Sequence, residues 1–438
     1  MKKSLLFLSL IASLSINAQW TSQATGFTDA ARGLGEIRIV DANTVWAVAY
    51  DGSGLGADIQ EFTRTTNGGA SWTTGLFDVA DPNLRITNVS PVNGDTAWVG
   101  AFDEAAGLGG VFKTTDGGVS WSQQNAGAYT TAGESWFNFV HFFDANVGIT
   151  QGDPEGAGGE FEIYKTTDGG DTWTRIPGPA LPNPLSGEYG YNGGYAYSGD
   201  TLWFTTNKGR LYRTNDRGVT WNAYQAPLTD FGSAAQSGSV DFSSTTNGCL
   251  LKTAGTVYTF YTTTNGGQTW TAGVPFAGTR RLLSYIPGTN IIVGTSAAAP
   301  VGTSVSVDNG TTWTEVEADD QRGVSAFLNE TTGWCAGFSQ DELTDGIFKL
   351  TGTLGNSDIT AATKFKVYPN PATSTITIAA AEVDTYNLSV TDLSGKVVMT
   401  RTLNGMENTL DISTLATGAY FFELNADNKK EVVKILKN

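Results

Sequence analysis

The chain has 438 residues, 54 of them glycine and 12 tryptophan, with 40% hydrophobic residues and a formal charge of −17. That length exceeds one ordinary compact core unless the core is a barrel or a propeller, and no long 3.6-period apolar pattern is present, so the reading is all-β. The acidic balance excludes nucleic acid and anionic membranes as partners, because binding there depends on Lys and Arg neutralising phosphate.

The N-terminus reads as a secretory signal over residues 1–18. Lys2 and Lys3 form its charged start, Leu5–Ile16 its apolar stretch, and Ile16-Asn17-Ala18 its cleavage site. Residue 19 is Gln rather than Cys, so a lipoprotein anchor is not expected, and no second apolar run is long enough to span a bilayer. The expectation is an exported, soluble monomer with no transmembrane segment. The signal carries +2, and the last 75 residues hold eight basic and eight acidic groups. The segment between them therefore carries −19.

From residue 19 onward a short stretch recurs six times: Thr65–Trp72, Thr114–Trp121, Thr166–Trp173, Thr214–Trp221, Thr263–Trp270 and Ser306–Trp313. All fit [ST]-x-[DN]-x-G-x-[ST]-W, and their tryptophans lie 49, 52, 48, 49 and 43 residues apart. A period of this length is the mark of stacked supersecondary units. The Asp or Asn (Asn67, Asp116, Asp168, Asp216, Asn265, Asp308) can bond forward to backbone N–H groups and hold a tight turn. The Gly two residues later supplies a positive φ, and the Trp (Trp72, Trp121, Trp173, Trp221, Trp270, Trp313) is expected to open a strand and wedge between units. Each copy resembles the Asp-box (BNR repeat) of sialidases, sortilin-type receptors and photosystem II assembly-factor propellers. In that family the box joins the two outer strands of a propeller blade, away from the ligand face, which makes these residues structural.

Each box follows a lead-in of two strands, so each repeat reads as four antiparallel strands. In the first these are Ile37–Val40, Val45–Tyr50, Glu61–Thr65 and Ser71–Leu76; in the second, Ile86–Pro91, Ala97–Phe102, Val111–Thr115 and Ser120–Gln123. Further units start near Phe137, Tyr191, Ser239 and Leu282. A seventh lead-in, Val324–Leu328 and Trp334–Phe338, reaches a third strand at Ile347–Leu350 and stops without a box. The mature N-terminus, Gln19-Trp-Thr-Ser22, resembles the residues after each box. It is expected to pair with Ile347–Leu350 and close a seven-bladed β-propeller over residues 19–351, leaving no exposed sheet edge.

Residues 352–363 read as a linker, and residues 364–438 as a small seven-stranded immunoglobulin-like sandwich. Its motifs are Val367-Tyr-Pro-Asn-Pro-Ala372 (with Tyr368, Pro369, Asn370 and Pro371), Asp392-Leu-Ser-Gly395-Lys396, and Leu415-Ala-Thr-Gly418-Ala-Tyr420. With the basic end Lys434–Asn438 they resemble the C-terminal sorting domain of the type IX secretion system. The resemblance implies a Bacteroidetes-type bacterium and passage through the periplasm and outer membrane. It also implies the secretion machinery as a partner, and release or attachment at the cell surface.

In a propeller the loops between strands two and three, and between blades, open on the face away from the boxes. Those loops here include the acidic runs Asp51–Asp58, Asp103–Gly110, Asp153–Glu160 and Asp341–Asp345. Arg32, Arg85, Arg280 or Arg281, Arg322, Trp136, Tyr189 and Tyr191 fall near the inner strand starts, a set suited to a protein or glycan. The plainer reading is that the arginines pair with the acidic loops and hold that face together. The alternative function is an extracellular glycoside hydrolase. Arg175-Ile-Pro177 matches the letters of the sialidase signature, but it follows a box where the family places it before any, and Glu188 beside Tyr189 could mimic the nucleophile pair. His141 reads as a packed, hydrogen-bonded core residue on an inner strand, and Cys249 and Cys335 as buried free thiols. Two distant thiols and one histidine build no metal site, and Asp51–Asp58 lacks the alternating ligands of a calcium loop. No cofactor is expected, since neither a phosphate loop nor a G-x-S-x-G or H-E-x-x-H motif is present.

Overall fold

The structure, a computed structural model, describes residues 20–354 and 365–438, apart from 30, 55, 57, 80, 106–107, 125–127, 132–134, 157–158, 340–344, 381–384, 394 and 427–428. The proposed signal at 1–18, Gln19, most of the proposed linker and residues 341–344 of the last acidic loop lie outside the described residues. The chain divides into two compact units, 1–356 and 357–438.

Among the described residues the first unit contains seven antiparallel sheets, six of four strands and one of five, and six of the seven are built on four consecutive strands. Their inner strands are Arg32–Ile39, Arg85–Pro91, Phe137–Phe142, Gly190–Ser198, Ser237–Phe242, Leu282–Tyr285 and Ser325–Asn329. Each touches the next, and the seventh touches the first, so the sheets form a closed ring of blades. The closing sheet is Ser325–Asn329, Thr332–Ala336, Gly346–Leu350 and the N-terminal strand Trp20–Ala24. Its register runs from Trp20 opposite Leu350 to Ala24 opposite Gly346. Trp20 is buried and donates its indole N–H to Thr303 of the sixth blade at 3.0 Å, which ties the chain's start to a blade near its end. A short strand not foreseen in the sequence, Phe338–Ser339, adds a fifth strand to the first blade by pairing with Arg32 and Gly33.

The boxes build as their chemistry requires. In the third, Asp168 Oδ1 accepts from Thr166 Oγ1 at 2.7 Å and from the Thr172 N–H at 2.9 Å, while Oδ2 accepts from Thr172 Oγ1 at 2.6 Å. The glycine two residues after the Asp is needed twice over in the second and sixth boxes. Gly118 has φ +85° and Gly310 φ +86°, and a Cβ at either would lie 2.3–2.4 Å from a phenylalanine ring of the preceding blade, Phe62 or Phe260. The tryptophan does not open the strand as expected. It is the last residue before it, and the outer strands begin at Thr73, Ser122, Thr174, Asn222 and Thr314, with Val274 in the fifth blade. This frees the indole to turn inward: Trp121 packs edge-on against Trp46, Phe62 and Phe77 of the first blade.

A second stitch comes from the middle strands. Trp46, Trp98, Trp203 and Trp334 are fully buried, and Trp98 and Trp203 donate to the carbonyls of Gly169 and Gly266 in the next blade's box. A basic residue immediately before a box reaches across in the same direction, as Lys113 does to the Gly169 carbonyl at 2.8 Å. Lys349 repeats the contact onto Gly68 at 2.6 Å and so carries the pattern across the closure.

The second unit pairs a three-stranded sheet (Phe365–Tyr368, Thr375–Ala380, Glu407–Asp411) with a four-stranded one (Val397–Asn404, Thr385–Asp392, Gly418–Ala426, Lys429–Lys437). Alternate residues of both, among them Ile376, Ile378, Leu388, Val390, Phe422 and Leu424, form its core. The motif residues hold its chain ends and turns. Asn370 donates to the Lys434 carbonyl and accepts from the Leu436 N–H, and Gly395, at φ +82°, lets Lys396 N–H reach Asp392. Tyr420 is buried with its hydroxyl on the Ala416 carbonyl.

Candidate functional site

Antiparallel order puts the turn between strands one and two at the same end as the turn between strands three and four. The contacts agree: the box amides of Gly68, Gly117 and Gly169 donate to Asn43, Asp95 and Asn146 in the inner turns. The inner strands therefore start on the face opposite the boxes and end on the box face, and the ring has two distinct mouths.

On the opposite face most of the expected arginines are committed to the fold. Arg322 is 2% exposed, bridges Glu317 and Asp320, and lies 3.9 Å from the Phe348 ring centre. Arg280 is equally buried and donates to the Val301 and Glu317 carbonyls. Arg32 is paired with Glu61 and Asp29. Arg85 is half exposed between Asp58 and Glu104, and Arg281 is exposed with its guanidinium 3.7 Å from the Tyr258 ring centre. Arg85 meets the acidic loops, whereas Arg32, Arg280 and Arg322 are held by carboxylates outside them, Asp29 and Glu61, Glu315, and Glu317 and Asp320. Among the aromatics, Tyr189 is 44% exposed and meets Tyr191 edge-on, Tyr191 donates to Asp230, and Trp136 is half-buried.

The sialidase-like letters do not assemble. Glu188 has no exposed side chain; it is held by Arg210, Thr206 Oγ1 and the Leu185 N–H, which keep its carboxyl below the usual range despite burial. Tyr189 meets Tyr191, and Arg175 is tied to Glu155 at 2.6 Å. A hydrogen-bonded Tyr–Glu pair does exist in the third blade, Tyr164 on Glu162 at 2.8 Å, where Glu162 is buried under Tyr129 in a third strand rather than at the channel. Cys249 and Cys335 are buried and free. Among the described residues no cluster of three or more His, Cys, Asp or Glu side chains is placed to hold a metal.

The channel through the ring holds a polar cluster that sequence reasoning missed. The inner strand of the fourth blade bulges between Gly190 and Tyr195, and the bulge crosses the channel: a side chain at Gly193 would meet the Thr87 carbonyl of the second blade at 3.4 Å. Asp153 anchors its start, accepting from Asn138 at 2.7 Å and from the Gly190 N–H at 2.8 Å, and burial pushes its carboxyl up to about 6. Below the bulge Tyr195 spans the ring. Its hydroxyl accepts from Arg38 of the first blade at 2.7 Å and from Asn88 of the second at 3.0 Å. Arg38 also donates to Glu36 at 2.6 Å, and the second oxygen of Glu36 accepts from the Val89 N–H at 2.9 Å.

His141 lies beside this cluster, 5% exposed, 4.4 Å from Tyr197 and 4.7 Å from Phe143 between ring centres. Packing is as expected, but the ring makes no hydrogen bond to another of the described residues, and it lines a cavity of about 430 Å³ with Arg38 and Tyr197. Burial and the Arg38 charge hold the imidazole neutral, its pKa lowered to about 3. A smaller cavity of about 310 Å³ on the other side of Arg38 and Tyr197 contains Asp241, whose carboxyl burial raises to about 6. Both cavities are lined by inner-strand ends and the residues after them, so they lie towards the box face.

Comparison with known proteins agrees with the two units. Residues 366–438 match the family described as secretion system C-terminal sorting domain. Residues 107–236 match the family described as photosynthesis system II assembly factor YCF48. A curated relative, the photosystem II assembly lipoprotein Ycf48 of Synechococcus sp. (strain CC9902), is 29% identical over 158 residues, 36% of this chain. The chain spans 41% of that relative's length. The solved structure described as YCF48 bound to D1 peptide is 15% identical, covers 76% of this chain and 97% of its own, and superposes with a TM-score of 0.51. PorZ, a surface component of the type-IX secretion system of Porphyromonas gingivalis, is 15% identical over 92% of this chain and 59% of its own, with a TM-score of 0.48. The fold is thus an all-β propeller similar to that of YCF48, followed by a type IX sorting domain, and the protein is exported to the cell surface or secreted. No helix among the described residues is long and apolar enough to cross a membrane.

Proposed function

We infer that the protein is an exported propeller that holds a protein or glycan ligand on the face opposite its boxes and does not turn it over. The observation that carries this reading is the state of three glutamates on that face. Glu188 is enclosed by Arg210, Arg32 neutralises Glu61, and Arg322 neutralises Glu317, whereas hydrolysis of a glycoside needs two acids free to flank the scissile bond. Tyr189, beside Tyr191 and Asp230, offers the aromatic edge and polar tip that binding faces favour. The name of one similar structure says that protein was solved with a peptide, which puts a peptide first among protein-derived ligands to try. The sorting domain delivers this face outside the cell, and its partner is the secretion machinery.

The test is a glycan array and a peptide library probed with the purified exported protein and with Tyr189→Ala and Arg85→Ala. Retention of a ligand by the parent and its loss in either variant supports the reading. Retention that neither variant weakens moves the ligand off this face. The second reading, a glycoside hydrolase, draws on the Tyr–Glu hydrogen bonds of Tyr164 with Glu162 and of Tyr212 with Glu188; turnover abolished by Glu162→Gln or Glu188→Gln would establish it.

A further inference from the structure

We propose that the box-side mouth of the central channel is a second binding site, distinct from the opposite face, and that it takes the neutral, hydroxyl-rich end of a saccharide. Two groups point into the cavity of about 430 Å³ without protein partners among the described residues. One is the His141 imidazole, which lines the cavity and packs against the rings of Phe143, Tyr195 and Tyr197. The other is Nη1 of Arg38, whose Nε and Nη2 are held by Glu36 and Tyr195. Neither group is sealed off by its protein neighbours, so both open onto the cavity and its solvent, where the polar atoms of a ligand can take the place of water.

The chemistry of the completing group follows from charge. Glu36 already neutralises Arg38 at 2.6 Å, Arg217 neutralises Asp144 at the rim, and Asp241 stands in the adjoining cavity. An incoming anion would add an uncompensated negative charge to a balanced cluster inside an acidic protein, and a cation would meet the fixed charge of Arg38. A hydroxyl meets neither cost. Neutral imidazole offers one donor and one acceptor, which a hydroxyl group answers with its own lone pair and proton, and Nη1 donates to a second oxygen. Tyr197, 39% exposed, supplies a ring face for the C–H side of a pyranose. The volume lies in the small-ligand range of roughly 300–1,000 Å³. The Gly193–Gly194 bulge and Tyr195 cross the channel above the cavity, so the site takes the end of a chain entering from the box face rather than a threaded segment.

The experiment is saturation-transfer NMR and calorimetry on the full exported protein with cellobiose, maltose, lactose and N,N′-diacetylchitobiose. Galacturonic acid and an acetylated dipeptide with a free carboxylate serve as charged competitors. Saturable binding of a neutral disaccharide is expected, weakened at least roughly tenfold in His141→Phe, which keeps the packing and removes both polar atoms. Tyr197→Ala weakens it as well, and Tyr189→Ala on the other face leaves it unchanged, so failure here and failure of the opposite-face reading are separable. The proposal is overturned if no neutral sugar binds, if the carboxylate ligands bind more tightly, or if a folded His141→Phe binds as the parent does.

Discussion

Removing the Trp20 side chain tests the closure of the ring directly. Trp20 is 3% exposed, packs 6.1 Å from the Phe327 ring centre and donates to Thr303 Oγ1, which itself donates to Glu317. Replacing a buried tryptophan by alanine costs about 3–5 kcal/mol, and about 1 kcal/mol of this comes from the lost hydrogen bond. Trp20→Ala should therefore lower the unfolding free energy of the first unit by that amount in guanidinium titrations followed by circular dichroism. Thr21→Ala, on the exposed side of the same strand, should stay within about 0.5 kcal/mol of the parent. Deleting residues 20–24 leaves Gly346–Leu350 as an open edge, and sedimentation should then show association. A Trp20→Ala protein within about 1 kcal/mol of the parent, or a deletion that remains monomeric and equally stable, would refute the closure argument.

Three further outcomes follow. Glu188→Gln breaks a buried pair with Arg210 and should cost about 3–5 kcal/mol in the same titration while leaving any ligand binding at Tyr189 intact once folded. Asp153 is pushed up to about 6 from an ordinary value near 3.8, so its folded form binds the proton more tightly. Its contribution is present below about pH 4 and lost as pH rises through 6. Asp153→Asn, which keeps the accepting oxygen for Asn138 and Gly190, should stabilise by at most about 3 kcal/mol at pH 8 and have no such benefit at pH 4, read from paired melts. Asp116 and Asp168 are shifted the other way, to about 2, by the hydroxyl and amide groups of Ser120 and Thr172. Their support is present above the ordinary carboxylate range and fades as pH falls towards 2, whereas the Asn67 and Asn265 boxes should show no such acid loss in amide exchange.

The sequence made the ring legible because its signal is local and repeated. An Asx turn followed by Gly and Trp needs only eight residues, and six copies at one spacing fix blade number, strand order and the place of the missing strand. The seven strands of the tail were legible for the same reason, from turn motifs at Asn370, Gly395 and Gly418. The channel was not, because its chemistry joins residues more than 150 positions apart, such as Arg38 and Tyr195. Glu36 and Arg38 do share a strand face two residues apart, so their pairing was readable. The opposite face shows the converse limit. Arg32, Arg280 and Arg322 sit where the repeat places them, but a side chain's direction depends on partners such as Glu61 and Glu317 that no local pattern names. The bulge at Gly193–Gly194 likewise needs the second blade opposite it to have meaning.

A propeller that holds its ligand without cleaving it should bind and not hydrolyse. The deciding measurement is turnover of a fluorogenic glycoside panel by the purified exported protein, run beside a binding assay on the corresponding oligosaccharides and on peptides. The account predicts saturable binding of at least one ligand with hydrolysis no faster than buffer. Hydrolysis that is lost in Glu162→Gln or Glu188→Gln, with the fold intact, would contradict it.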